Sequence, residues 1–92
     1  MIIRILGEGQ WEVPEDALGH LNELDARLVA AVESGDQTAF ASAFSGLLDG
    51  VRERGEPLAD EDLRGSEVIL PPGDSTLDEV SGEFDAEGLI PD

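Results

Sequence analysis

The chain has 92 residues, 22 of them acidic and five basic, all five basic residues being arginine, and a net charge of −17. At this size a fold buries somewhat over ~60% of the surface its unfolded chain exposes, so a large internal active-site cavity would be costly. The absence of cysteine removes disulfide scaffolds, thiol catalysis and cysteine-ligated zinc, and the charge disfavours direct contact with nucleic acid or anionic lipid.

Apolar residues make up 40% of the chain and aromatics only 4%, supplied by Trp11, Phe40, Phe44 and Phe84, so the core is expected to be mostly aliphatic. The N-terminal apolar run Met1 to Leu6 is interrupted by Arg4 and followed by Gly7 and Glu8, which is not a signal-peptide pattern. No stretch is long enough to span a bilayer, and a cytoplasmic protein forming one domain over 1–92 is expected.

Ile2 to Leu6 and Gln10 to Val13 read as two strands, with Gly7, Glu8 and Gly9 as a three-residue hairpin connection. Pro14 ends the second strand and suits a helix start. From Glu15 to Ser34, Leu18, Leu21, Leu24, Leu28 and Val32 recur at steps of three and four, one stripe of an amphipathic helix. Gly19 would cost up to ~1 kcal/mol relative to alanine, which moves the expected regular part toward Leu21. Gly35 is a helix stop and Asp36 an N-cap, so an antiparallel helical hairpin follows.

Gln37 to Arg54 carries Phe40, Phe44, Leu47, Leu48 and Val51 on one stripe, with Ala39, Ala41 and Ala43 allowing close approach. Arg52 and Arg54 complement the helix dipole at its C-terminal end. Asp60, Glu61 and Asp62 read as loop, and Glu67 to Leu70 as a third strand ended by Pro71 and Pro72. Ser75 and Asp78 stand at capping-box separation before a short helix burying Leu77, Val80 and Phe84. The expected fold is α+β, a small β-hairpin plus third strand packed on an antiparallel helical hairpin in the order ββααβα. Neither Ile2 to Leu6 nor Val68 to Leu70 alternates cleanly with polar residues, so both sheet faces call for cover. The helical hairpin covers one; the other falls to the apolar C-terminal segment, to a second copy in a homodimer, or to a partner.

No catalytic constellation emerges from the residue types. The third glycine that a dinucleotide fingerprint needs after Gly7 and Gly9 is Glu12, and a chain without lysine has no phosphate-loop lysine. A calcium loop laid from Asp60 through Asp62 and Gly65 places Arg64 at a ligand position and Pro71 where a bidentate glutamate is required. His20 is the only histidine, too few nitrogen ligands for a zinc or iron site and no base for a serine nucleophile. With so many carboxylates, close pairs arise by chance and read as a solvated face. The chain is expected to be no enzyme and to hold no cofactor or metal. Trp11, on an extended edge, is either a core residue or a partner-facing anchor.

Taken in order, the segments Ile2 to Gly9, Leu21-Asn22-Glu23-Leu24-Asp25, Gly35-Asp36, Leu70-Pro71-Pro72 and Gly88-Leu89-Ile90-Pro91 resemble the PspA-associated protein family, PspAA, over nearly the whole chain. The resemblance implies an accessory to PspA, a long coiled-coil protein of the envelope-stress response that assembles on the inner membrane face. The membrane is then met only through that partner, and no catalytic residues are implied. The expected docking groups are the acidic residues Glu23, Asp25 and Glu33, with an apolar anchor at Trp11 or Ile90. Two alternatives stay open: an acidic inhibitor or nucleic-acid mimic of a basic protein, and salt adaptation as the source of the charge.

Overall fold

The computed structural model describes residues 1–58, 65 and 68–81, and among these residues are four short strands and three helices. The strands are β1 (Ile2–Ile5), β2 (Gly9–Glu12), β3 (Glu56–Pro57) and β4 (Val68–Leu70). The helices are α1 (Glu15–Ser34), α2 (Gln37–Arg54) and α3 (Leu77–Ser81). The fold is α+β as expected, with one strand more: β3 follows α2 directly and adds to the free edge of β2, pairing Trp11 with Pro57 and Glu12 with Glu56.

The first hairpin closes one residue earlier than its glycines suggest. Gly9 takes the last pair, opposite Ile5, so the connection is Leu6, Gly7 and Glu8, with the Glu8 N–H donating to the Ile5 carbonyl at 3.0 Å. Gly7 has φ 85°, the positive value that the third position of a type II turn requires. At the open end Met1 and Val13 extend the ladder, the Val13 N–H reaching the Met1 carbonyl at 2.7 Å and the Met1 amine the Val13 carbonyl at 2.9 Å.

The sheet order is β3-β2-β1-β4. β1 is antiparallel to β2 and parallel to β4, with Ile3 beside Val68 and Ile5 beside Leu70. Because side chains alternate along a strand, Ile3, Ile5, Val68 and Leu70 share one face and enter the core with the helices. The opposite face behaves unevenly. Ile2 is buried outside that core, whereas Ile69 is 58% exposed. Cover is therefore present over Ile2 but not over Ile69. The C-terminal residues expected to provide it, 88–91, lie outside the described residues, as do Phe84, Glu67 and the acidic residues 60–62.

α1 runs without a break from Glu15, through Gly19. The glycine cost is offset because Ala17 already packs in the core and Glu15 and Asp16 meet the positive end of the helix dipole. Gly35, at φ 70°, ends α1 by donating to the Val32 carbonyl, and the Asp36 carboxylate starts α2 by accepting from the N–H groups of Thr38 and Ala39 at 3.0 and 3.1 Å. Phe40, Phe44, Leu47, Leu48 and Val51 are all buried, as their spacing predicts, and the Phe40 and Phe44 rings stack 5.3 Å apart.

The two helices approach each other closely at Gly50. A Cβ there would lie 2.9 Å from Leu24 Cδ1 and 3.0 Å from Leu21 Cδ2. Ala41 faces solvent. The cap of α3 also falls one residue later than expected. Thr76 and Glu79 form the box: the Thr76 N–H donates to Glu79 Oε1 at 3.0 Å, and the Glu79 N–H to Thr76 Oγ1 at 3.3 Å. The Leu77 N–H binds the Gln37 side chain at 3.1 Å, tying α3 to the first turn of α2, while Val80 is buried and Leu77 half-buried against the core.

Candidate functional site

A helix that turns its leucines inward must turn whatever lies between them outward, and this places the anticipated docking residues. Glu23 and Glu33 are exposed on α1, separated by about 15 Å along the axis and about 80° around it. They belong to one acidic surface but not to one tight patch.

Asp25 is not on that surface. It is 3% exposed, because it stands four residues after Leu21 and three before Leu28, on the buried stripe itself. It is engaged within the chain and is not positioned to meet a basic partner. Trp11 is half-buried against the core, directly across from Ile3 on one side and Pro57 on the other. Its Cβ sits so near Gly55 that a methyl group on that glycine would come within 2.8 Å. The core role weighed for Trp11 accounts for this environment. Ile90 lies outside the described residues.

Sequence reasoning missed a groove of about 480 Å³ along one side of the helical hairpin. Leu24, Arg27 and Ala31 of α1 and Ala39, Ala43 and Gly46 of α2 line it. The signal was present, since Ala39, Ala43 and Gly46 recur at steps of four and three, but alanines read as the contact between α1 and α2 also describe an open channel beside that contact. Arg27 is exposed and makes no salt bridge among the described residues, although Glu23 stands four residues before it.

A second concavity of about 410 Å³ gathers Met1, Glu12, Glu15, Arg54 and Glu56 where β2 meets α1. Glu15 and Glu56 are exposed there, so water surrounds them. His20 is exposed on α1, and no group of three or more His, Asp or Glu side chains among the described residues is placed to hold a metal ion. Among those residues no helix is long and apolar enough to cross a membrane.

Together these features define a small α+β domain with an acidic helical hairpin, grooved along one side. The family model for PspAA, described as PspA-Associated protein, matches residues 1–92, and the chain belongs to that family. Comparison with curated proteins and with solved structures gives no match.

Proposed function

We propose that the protein is a non-enzymatic accessory that binds a PspA-type coiled-coil protein and modulates it in the envelope-stress response. The observation that carries this role is the match of the whole chain to a family described by its association with PspA. The physical properties agree with binding. A net charge of −17 with Glu23 and Glu33 exposed on a rigid 20-residue helix favours encounter with a basic surface, setting rate and specificity more than final affinity. On this proposal the protein works in the cytoplasm and meets the membrane only through its partner.

The test is a titration of purified protein against purified PspA from the same source, followed by size-exclusion chromatography and calorimetry at about 50 mM and about 500 mM salt, a range over which surface charges become screened. A complex that weakens with salt is expected. No association at either salt concentration overturns the proposal. Displacement of the bound partner by nucleic acid would favour the nucleic-acid-mimic alternative instead.

A further inference from the structure

We infer that the groove between α1 and α2 seats a single α-helix of the partner, with small or aliphatic residues on the seated face, basic residues toward Glu23 and Glu53, and a carboxylate toward Arg27. This rests on the proposed association and names the surface through which it occurs.

The shape of the groove selects a helix. Two antiparallel helices present a trough between them, and a third helix packs into such a trough at an interaxial distance of about 8–10 Å, toward the short end of that range where the lining side chains are small. Ala31, Ala39, Ala43 and Gly46 supply that lining, with Leu24 as the larger apolar contact. The two glycines within α2 differ in their surroundings. At Gly50 the space a Cβ would take is already filled by Leu21 and Leu24. At Gly46, one turn earlier, a Cβ would meet nothing within 4 Å. A glycine in the interior of a helix costs about 1 kcal/mol relative to alanine, and the packing within this chain gives no return for it at Gly46. At Gly46, unlike at the equally open Gly19, that space adjoins the groove, so a helix approaching from outside can use it.

Charge selects among helices. Glu23 continues the α1 side of the groove, four residues before Arg27, and Glu53 continues the α2 side, seven after Gly46. Both are exposed and make no salt bridge among the described residues. Arg27 stands one turn further along the groove from Glu23, an exposed cation in a chain of net charge −17. The rim therefore asks for positive charge at one end and a single negative charge one turn further along. A second copy of the chain fits poorly, because bringing together two molecules of this charge at a groove bordered by glutamates is repulsive.

The experiment uses the full chain and purified PspA from the same source. Gly46→Leu and Ser42→Trp each place bulk in the groove at positions where nothing in the fold opposes it, Gly46 facing open space and Ser42 being exposed. Both variants should keep the wild-type circular dichroism and lose affinity at least tenfold, with Ser42→Trp melting near wild type and Gly46→Leu at or above it because an interior helix glycine is removed. Arg27→Glu should lose severalfold, and Gly19→Ala, on α1 away from the groove, should bind as wild type does. Because the chain has no cysteine, Ser42→Cys gives one defined thiol for cross-linking to a cysteine scan of the partner. Reactive partner positions should recur every three to four residues. If wild type binds and the two groove-filling variants bind equally well, or if reactive positions follow no helical period, the groove is overturned while the association stands. If wild type does not bind at all, both fall. Self-association of the free protein that Gly46→Leu abolishes would assign the groove to a second copy and overturn the inference.

Discussion

Arg52 of α2 grips Glu8 of the first β-turn with two parallel hydrogen bonds, Nε to Oε1 at 2.9 Å and Nη2 to Oε2 at 2.5 Å, while its Nη1 holds Asp49 at 2.9 Å. The fork geometry fixes the hairpin tip against the helical layer, joining parts of the chain 44 residues apart in sequence. Hydrogen bonding from Arg52, reinforced by its charge and opposed by partial burial, lowers the Glu8 pKa below its ordinary value.

The sign of the pH effect follows from that lowering. A carboxylate with a depressed folded pKa contributes stability that is present above the ordinary glutamate value of about 4.3 and is lost as pH falls through the lower folded value. The Glu8 and Arg52 side chains remain about one-third exposed, so solvent screening limits the pair to about 0.5–1 kcal/mol. Glu8→Gln should be less stable than wild type by that amount at pH 7 in urea denaturation, with the gap closing toward pH 3. A gap that does not change with pH would contradict the assignment.

Gly55→Ala should destabilise the fold by about 1–3 kcal/mol, the usual cost of overpacking. The added methyl would lie 2.8 Å from both Trp11 Cβ and the Val51 carbonyl oxygen and 3.1 Å from Val13 Cγ2. The cause is contact rather than backbone strain, since Gly55 has φ −93°. Tryptophan fluorescence should report the change as well as denaturation does. Unaltered stability and an unaltered spectrum in the Gly55→Ala variant would show that the contact relaxes freely.

Helix starts offer a paired comparison. Asp36→Ala removes the acceptor of two N–H groups at the head of α2 and should cost about 0.5–2 kcal/mol. Thr76→Ala removes one half of the α3 box and should cost an amount in the same range, whereas Ser75→Ala should be nearly neutral. If Ser75→Ala proved the more damaging of those two, the cap would belong one residue earlier, where the sequence alone places it.

Neighbouring residues of β4 should respond oppositely to substitution. Leu70→Ala opens a hole in the core, where Leu70 is 0% exposed, and should cost about 2–5 kcal/mol. Ile69→Thr acts on a side chain already 58% exposed and should change stability by less than about 0.5 kcal/mol. Equal losses in thermal denaturation would mean that both faces of β4 are packed.

The helices were legible because their ends are punctuated by residues with one good use: Pro14 before α1, Gly35 and Asp36 between the helices, and Gly55 after α2. Less was legible where two neighbouring residues offer the same chemistry. Ser75 with Asp78 and Thr76 with Glu79 have identical spacing, and only the structure sets which pair closes around the helix. β3 was missed because a two-residue strand containing proline carries no hydrophobic period and exists through the edge of β2. In the candidate site, spacing prevails over charge: Asp25 is acidic, yet its distance from Leu21 and Leu28 places it inside. The groove was obscured because alanines and glycines signal close approach without saying whether the approaching helix belongs to the same chain.

The parallel pairing of β1 with β4 sets a timetable for folding. Ile3 finds Val68 only after both long helices have been made, so the contact closes a long loop and comes late on entropic grounds. During synthesis β1 can pair with β2 while its other edge, in one of the most apolar stretches of the chain, waits with unpaired amide and carbonyl groups. An emerging chain is therefore most vulnerable to intermolecular strand pairing just before β4 leaves the ribosome. The dense negative charge that follows β1 would keep such chains apart during that interval, a service to the nascent protein separate from any service to the folded one.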